Sequence, residues 1–233
     1  MDFKTFLDTL ISGKYHILFL TGIKTTLLVS TIALFIGLAL GVFFTIIQNL
    51  NFSNPKLKFI EKILNFLIKA YVDIIRGTPI MVQLIFFWLI VFGSVEISKT
   101  LVGGIAFGLN AGAWISEIIR SGVRSIDKGQ MEGGLSLGFS KTKTLWHIII
   151  PQVFKNMLPS LIGEYIALIK DSSILSTIGA VELNRAGDIM IANTGNAIYP
   201  LIMVALLYLI LTSFFAFIAR IVENKLKKNE NRI

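Results

Sequence analysis

Polar side chains recur at helical steps inside the apolar stretch between residues 153 and 178 of this 233-residue chain. Ser160, Glu164 and Asp171 share one face of a helix, and Lys170 lies beside them. An ionisable group in such surroundings costs about 2.5 to 3.5 kcal/mol, so it normally faces a cavity or a partner. We therefore expect Glu164, near the middle, to line a path and to hold an ammonium group. Lys170 and Asp171 could instead pair with neighbouring helices.

A second polar face occurs between residues 101 and 122. It carries Asn110 near its middle, then Trp114 and Glu117. The amide of Asn110 can satisfy a carboxylate, and the Trp114 ring can pack on an aliphatic or cationic group. Two alternatives stay open, since Trp114 could pack against a neighbouring helix and Glu117 could pair with Arg120 or Arg124.

The composition explains what surrounds these residues. Hydrophobic residues make up 54 % of the chain and charged residues 15 %, against roughly 25 % charged in an average soluble domain. The chain is therefore predicted to be an integral membrane protein. Its apolar runs reach the ~18 to 20 residues that a helix needs to cross a bilayer, and the alternation typical of a barrel is absent.

We predict an all-α integral membrane fold, with residues 1–233 as a single domain of five transmembrane helices. Three glycines spaced four apart, Gly104, Gly108 and Gly112, provide a face for close helix packing. Pro79 should kink or break the second span. The first span is expected at 17–47. The second begins in a helix with a polar stripe and continues through Gly77 and Pro79 to about 93. The other three are expected at 101–122, 153–178 and 197–222.

Positive residues set the expected orientation. They are concentrated after the first and third spans and in the tail, so the positive-inside rule puts the N-terminus outside and the C-terminus in the cytoplasm of a multi-pass cell-membrane protein. The same pattern accounts for the net charge of +8 without any binding of nucleic acid. There is no cysteine, which excludes disulfides and cysteine catalysis.

The segment 125–152, predicted to be cytoplasmic, is polar, basic and rich in glycine. "DKGQMEGGLSLG" ends in a glycine suited to a helix C-cap, and "FSKTKTLWHIIIP" offers Ser140 as an N-cap and ends at a proline. Two short helices joined by a tight corner are expected. The small residues Gly133 and Gly134 would let another protein approach closely, with the charge of Glu132 at the edge.

This segment resembles the cytoplasmic loop of inner-membrane permease subunits of ATP-binding-cassette importers. That loop has the pattern Glu-Ala-Ala, three residues, Gly, nine residues, Ile-x-Leu-Pro. Glycine replaces both alanines here and isoleucine replaces leucine. The resemblance implies that the segment is a coupling helix, which docks on an ATPase subunit through the following positions: Glu132, Gly133, Gly134, Gly138, Ile148, Ile150 and Pro151.

Three further stretches resemble permeases for polar amino acids: "IIRGTPIMVQLIFF", "LNAGAWISEIIRSGVRSIDKGQMEGGLSLG" and "YIALIKDSSILSTIG". The resemblance implies the permease fold of type I importers and a pore shared with a second copy or a close relative. It also implies two copies of an ATPase subunit and an external amino-acid-binding protein. Because the predicted path carries acidic side chains, we expect cationic substrates in preference to neutral or acidic ones such as glutamine, glutamate or cystine.

No catalytic site, metal site or cofactor is expected in the chain itself. The nearest glycine pair to a P-loop, Gly133 and Gly138, lacks the following lysine, so ATP and magnesium would bind the partner ATPase. His16 and His147 have no neighbour at metal-ligand spacing. A secondary transporter would require inverted repeats that are absent, and a membrane scaffold would leave Glu164 and Asn110 unexplained.

Overall fold

The computed structural model describes residues 2–49 and 54–230, and all regular structure in these residues is helical. Short π-helical turns follow the fourth helix (Phe87–Val91) and precede the eighth (Leu145–Ile149), and a 3₁₀ helix covers Ser172–Ile178. The α-helices are α1 (Phe3–Ser12), α2 (Tyr15–Gln48), α3 (Pro55–Gly77), α4 (Ile80–Phe86), α5 (Lys99–Arg124), α6 (Lys128–Ser136), α7 (Lys141–Thr144), α8 (Ile150–Asp171), α9 (Leu183–Thr194) and α10 (Ile198–Glu230).

Each predicted span corresponds to a helix or a helix pair. Within the described part of the chain, α2, α5 and α10 are long and apolar enough to cross a membrane, and α3 with α4 and its π turn would be a fourth, bent by 107°. α8 has 22 residues and is less apolar, because Lys155, Asn156, Ser160 and Glu164 lie along it. It corresponds to the predicted fourth span.

The glycine face of α5 packs on α2, as its spacing predicted. A Cβ added at Gly104 would lie 2.6 Å from Ile32, one at Gly108 would lie 2.6 Å from Ile36, and one at Gly112 would lie 2.9 Å from Leu40. Gly37 and Gly41 of α2 approach α5 just as closely from the other side. The two backbones are therefore in direct contact, and this interface is the central packing surface of the bundle.

The second span breaks where proline predicted. α3 ends at Gly77, Thr78 is extended, and Pro79 is the N-cap of α4. Proline restricts the preceding residue to extended conformations, so Thr78 cannot continue the helix. The break turns the chain by 107° and leaves Arg76 in the last turn of α3, directed to the side of α5.

The two predicted short helices are present, but the second does not stop at Pro151. Ser140 caps α7 as expected, its hydroxyl accepting a hydrogen bond from the Lys143 amide at 3.3 Å. After α7 the chain passes through the π turn directly into α8, with Pro151 in the first turn of that helix. A proline is tolerated in a first turn, where its missing N–H is not needed.

The fourth span is also shorter than predicted as a regular helix. α8 ends at Asp171 and continues as the tighter 3₁₀ helix to Ile178, where Gly179 adopts a φ of +74°. The apolar residues beyond Asp171 gave no signal of this change, because a 3₁₀ turn buries the same residue types as an α-helix.

Helix α9 was not predicted from the sequence, and a buried carboxylate holds it to the bundle. Glu182 accepts hydrogen bonds from the backbone amides of Asn184 and Arg185, each at 2.7 Å, and from the Tyr208 hydroxyl of α10 at 2.9 Å. The side chain is completely buried. These bonds satisfy the first amides of α9 and fix that helix against α10.

Candidate functional site

The predicted polar faces of α5 and α8 border two cavities. The first, here the large cavity, has a volume of about 560 Å³ and lies between α3, α5 and α8. Its polar lining consists of Arg76, Trp114, Glu117, Ser121, Ser125, Asn156 and Ser160. The second, here the small cavity, has a volume of about 220 Å³ and is lined by Ile75, Arg76, Thr78, Ile80, Asn110, Trp114 and Asp171.

Arg76 and Trp114 belong to both cavities, so their contact separates one from the other. The guanidinium carbon of Arg76 lies 4.4 Å from the centre of the Trp114 ring, a cation–π contact. Arg76 also lies 3.9 Å from the carboxylate of Glu117. Glu117 contacts Arg120 in turn, which was one of its two predicted pairings.

Asn110 is fixed by a residue that the sequence reasoning did not select. Its amide nitrogen donates to the side-chain oxygen of Gln83 at 2.9 Å. The Gln83 amide nitrogen donates to the Ile75 carbonyl at 2.9 Å, and to the hydroxyl of Thr78 at 2.8 Å. Gln83 thereby ties α4 and the end of α3 to α5. The Asn110 side chain still borders the small cavity.

Helix α8 brings its polar residues past both cavities. Ser160 lines the large cavity and Asp171 lines the small one. These two residues are about 16 Å apart along the helix, at 1.5 Å per residue. Glu164 lies between them on the same face of the helix, although it lines neither cavity itself.

The acidic and basic groups of this face form no direct ion pair within the described part of the chain. Glu164 and Asp171 are half-buried and Lys170 is exposed. The hydrogen bonds and ion pairs formed by the described side chains do not include any of the three. The alternative that Lys170 and Asp171 pair with neighbouring helices stays a prediction. All three remain available to a ligand or to another subunit.

The segment 125–152 begins at the large cavity with Ser125 and then forms a compact surface of its own. Asp127 caps α6 and Gly138 adopts a φ of +81°, which turns the chain between α6 and α7. Glu132, Gly133 and Gly138 are exposed, as is Pro151, while Gly134 is buried against Thr144. Ile148 and Ile150 are half-buried. Large apolar side chains are nevertheless exposed at the corner, including Leu137 at 79 % and Trp146 at 62 %.

Metal-ligating side chains do not gather at any point of the chain that the structure describes: no three His, Cys, Asp or Glu residues come together. His147 lies on the exposed surface of the π turn, with its Nδ1 3.0 Å from the Lys143 carbonyl oxygen.

Arg76 and Gln83 are the site residues that the sequence reasoning missed. Arg76 was counted only as the end of a polar stripe on α3, and Gln83 as part of an apolar run. A signal was present for Gln83, because a lone amide within "IMVQLIFF" must find partners in a buried setting. Arg76 carried none, since its contact with Trp114 depends on how α3 packs against α5.

Comparison with known proteins gives a consistent assignment. A family model described as the binding-protein-dependent transport system inner membrane component matches residues 57–228. The putative glutamine transport system permease protein of Rickettsia felis is 37 % identical over 226 residues, which cover 95 % of this chain and 99 % of the relative. The arginine transport system permease protein of Bacillus subtilis is 34 % identical over 213 residues, covering 91 % and 93 %.

The fold also matches a solved structure. The crystal structure of an amino acid ABC transporter with histidines superposes with a TM-score of 0.81 at 32 % sequence identity. The match covers 97 % of this chain and 99 % of that one. Nearly every helix described above therefore has a counterpart in that protein.

Proposed function

The chain belongs to the family of binding-protein-dependent transport system inner membrane components, and we propose that it forms one half of a pore that imports polar amino acids. It is the permease subunit of an amino-acid ATP-binding-cassette transporter, a multi-pass protein of the inner membrane. It is not an enzyme, and ATP hydrolysis belongs to a partner subunit.

The observation that carries the proposed path is the position of Glu164 along α8. It lies between Ser160, which lines the large cavity, and Asp171, which lines the small one; its side chain is half-buried and forms no ion pair with a described residue. A carboxylate in that position suits the ammonium group that every amino acid carries. Asn110 and Lys170 offer donors for the substrate carboxylate, and Asp171 adds a second acidic group at the small cavity.

The substrate class follows from this chemistry and from the relatives. The similar permeases are named for glutamine and for arginine, and the similar structure is of an amino acid transporter with histidines. Both glutamine and cationic amino acids are therefore candidates. The Trp114 ring, predicted to pack on an aliphatic or cationic group or against a neighbouring helix, is covered by Arg76 of α3. This contact weakens the reason for preferring cationic over neutral substrates.

The partners give the chain its energy source. In the proposed complex two permease chains, identical or closely related, stand on two ATPase subunits that hold ATP and magnesium, and an external binding protein delivers the substrate. The segment 125–152 docks on the ATPase through its exposed corner, with the C-terminus in the cytoplasm and the N-terminus outside. Closure of the ATPases would draw two such segments together and open the path outward, and hydrolysis would reset it.

Uptake by the reconstituted complex tests the function. Proteoliposomes containing this chain and its ATPase are supplied with the binding protein and with labelled glutamine, arginine, lysine, histidine or glutamate, with and without ATP. ATP-dependent accumulation of glutamine or a cationic amino acid is expected. Accumulation of glutamate alone would contradict the substrate class, and absence of both uptake and ATP hydrolysis would favour a scaffold.

Substitution of Glu164 tests the path. Glu164→Gln keeps the size and removes the charge, so we expect uptake to fall at least about tenfold, equivalent to ~1.4 kcal/mol, with normal assembly on the ATPase. Glu164→Asp, which keeps the charge, is the matched control and should retain more uptake. Wild-type uptake in Glu164→Gln would make that residue structural.

A further inference from the structure

A third cavity lies where the last turns of α2 and α5 meet α3, and it adjoins the large cavity at Glu117. Its volume is about 440 Å³ and its cationic side chains are Lys69, Arg120 and Arg124, so we call it the basic pocket. Hydroxyl and amide groups complete much of its wall, and these belong to Thr45, Gln48, Asn49 and Asn65. Thr45 and Asn49 already donate to backbone carbonyls of α2. The three cations and the amides of Gln48 and Asn65 are the donors that the lining offers to an oxyanion.

The charges of the basic pocket are not balanced internally. Two carboxylates also line it, Asp73 and Glu117. Glu117 is already compensated by its contacts with Arg76 and Arg120. Lys69 and Arg124 remain against Asp73 alone, and neither cation has an ion pair within the described residues. The pocket therefore retains excess positive charge available to an anion.

A polar atom in the pocket wall also has no partner. The side-chain oxygen of Asn65 is buried and accepts no hydrogen bond from any described residue. A buried acceptor in this condition is costly, and a hydroxyl group of a bound ligand could satisfy it after a small movement of the side chain.

The flank of the pocket is apolar and exposed. Along α3, Phe59 is 66 % exposed, Ile63 43 % and Phe66 70 %. Lys58 and Lys62 are interspersed with these residues. Apolar and basic faces on one helix are typical of a helix that lies at a membrane interface. A ligand with a polar head in the pocket would therefore have an apolar surface beside it for hydrocarbon chains.

We propose that the basic pocket binds the phosphate headgroup of an anionic phospholipid, with its acyl chains along the exposed apolar residues of α3. Basic pockets between membrane helices are known seats of anionic headgroups. Inorganic phosphate would satisfy the same cations but leave the apolar flank of α3 uncovered. A headgroup with hydroxyl groups, such as that of phosphatidylglycerol, would in addition offer a donor to Asn65.

Native mass spectrometry of the full-length chain in neutral detergent tests the proposal. The chain is titrated with dimyristoyl phosphatidylglycerol or with phosphatidylcholine of the same chain length. We expect a first bound lipid with roughly tenfold preference for phosphatidylglycerol, and no displacement by inorganic phosphate at millimolar concentrations. Equal binding of the two lipids, or displacement by phosphate at low millimolar concentrations, would overturn it; in the second case the site would belong to a soluble anion.

Three variants assign the site to the pocket. The double variant Lys69→Gln with Arg124→Gln should lose the preference, whereas Lys141→Gln with Lys143→Gln, which removes the same charge from the exposed α7, should keep it. Asp73→Asn removes the remaining opposing charge and should tighten phosphatidylglycerol binding about threefold. A misfolded variant would not bind phosphatidylglycerol more tightly. The assignment would be refuted if Asp73→Asn showed no tighter binding and Lys69→Gln with Arg124→Gln kept the preference for phosphatidylglycerol. None of these results depends on whether the chain transports amino acids.

Discussion

Gly133 and Gly134 occupy the two alanine positions of the permease-loop pattern that this segment resembles, and the structure surrounds them differently. A Cβ added at Gly133 would meet nothing within 4 Å. At Gly134 it would overlap the Thr144 methyl group and lie 2.8 Å from the Thr144 hydroxyl. Gly134 therefore lets α6 pack closely on α7, whereas Gly133 only weakens the helix.

Alanine substitutions should separate these roles. Gly133→Ala should raise the free energy of unfolding of the α6 region by about 1 kcal/mol, the helix propensity of alanine over glycine. Gly134→Ala should lower it by about 1 to 3 kcal/mol, because α6 must move away from Thr144. Hydrogen exchange of the α6 amides in the detergent-solubilised chain measures both effects.

A second substitution serves as the control for the clash. Thr144→Ala removes the methyl and hydroxyl groups in question, so Gly134→Ala should cost less in that background than in the wild type. Equal costs in the two backgrounds would show that the Thr144 contact is not the cause.

Individual site residues were predictable when their chemistry conflicted with their surroundings. Glu164 and Asn110 were selected because a polar group in an apolar stretch must face a cavity or a partner. Asn110 lines the small cavity, whereas the role of Glu164 stays a prediction. Arg76 could not be selected that way. An arginine at the end of a polar stripe has many possible positions, and its contact with Trp114 depends on how α3 packs against α5.

At the level of elements, the corner between α6 and α7 depends on the backbone of Gly138. Its φ of +81° lies in the left-handed region, where a residue with a side chain costs roughly 1 to 2 kcal/mol. Open space surrounds the position, so a small side chain would strain the backbone without clashing. The geometry of the docking surface can thus be altered separately from its contacts.

Gly138→Ala should therefore reduce coupling between ATP hydrolysis and uptake. The loss of about 1 to 2 kcal/mol corresponds to a factor of roughly 5 to 30 in the population of the corner. Gly138→Asn is the matched control, since asparagine tolerates this conformation better. Amino acid transported per ATP hydrolysed, measured in proteoliposomes, should fall more in the alanine variant. An unchanged ratio in both variants would contradict the docking role of the corner.

Helix boundaries were predicted correctly where a residue dictates the local hydrogen bonding, and wrongly where the residue type fits both the start and the end of a helix. Pro79 and Ser140 act as expected, because each changes the local hydrogen bonding directly. Pro151 was expected to end a helix, yet it lies in the first turn of α8, where proline is favourable. A proline can begin a helix or follow the end of one. Here the π turn before Pro151 leads directly into α8, so Pro151 lies at a helix start.

At the scale of the whole molecule, the helical class and the contact between α2 and α5 could be read from hydrophobic run length and glycine spacing. The relative placement of α3 and α8 could not, because it depends on the 107° bend and on the Gln83 hydrogen bonds that hold it. The large and small cavities border these helices, and Arg76 and Trp114 line both of them.

The Arg76 contact with Trp114 should act as a barrier between the two cavities in the conformation described here. Trp114→Ala removes the ring that Arg76 packs on at 4.4 Å and joins the cavities, so labelled glutamine or arginine should cross proteoliposomes without ATP at least about tenfold faster, equivalent to ~1.4 kcal/mol. Trp114→Phe retains an aromatic face for the guanidinium and should leak little. If the alanine variant is as tight as the wild type, another part of the pore closes the path.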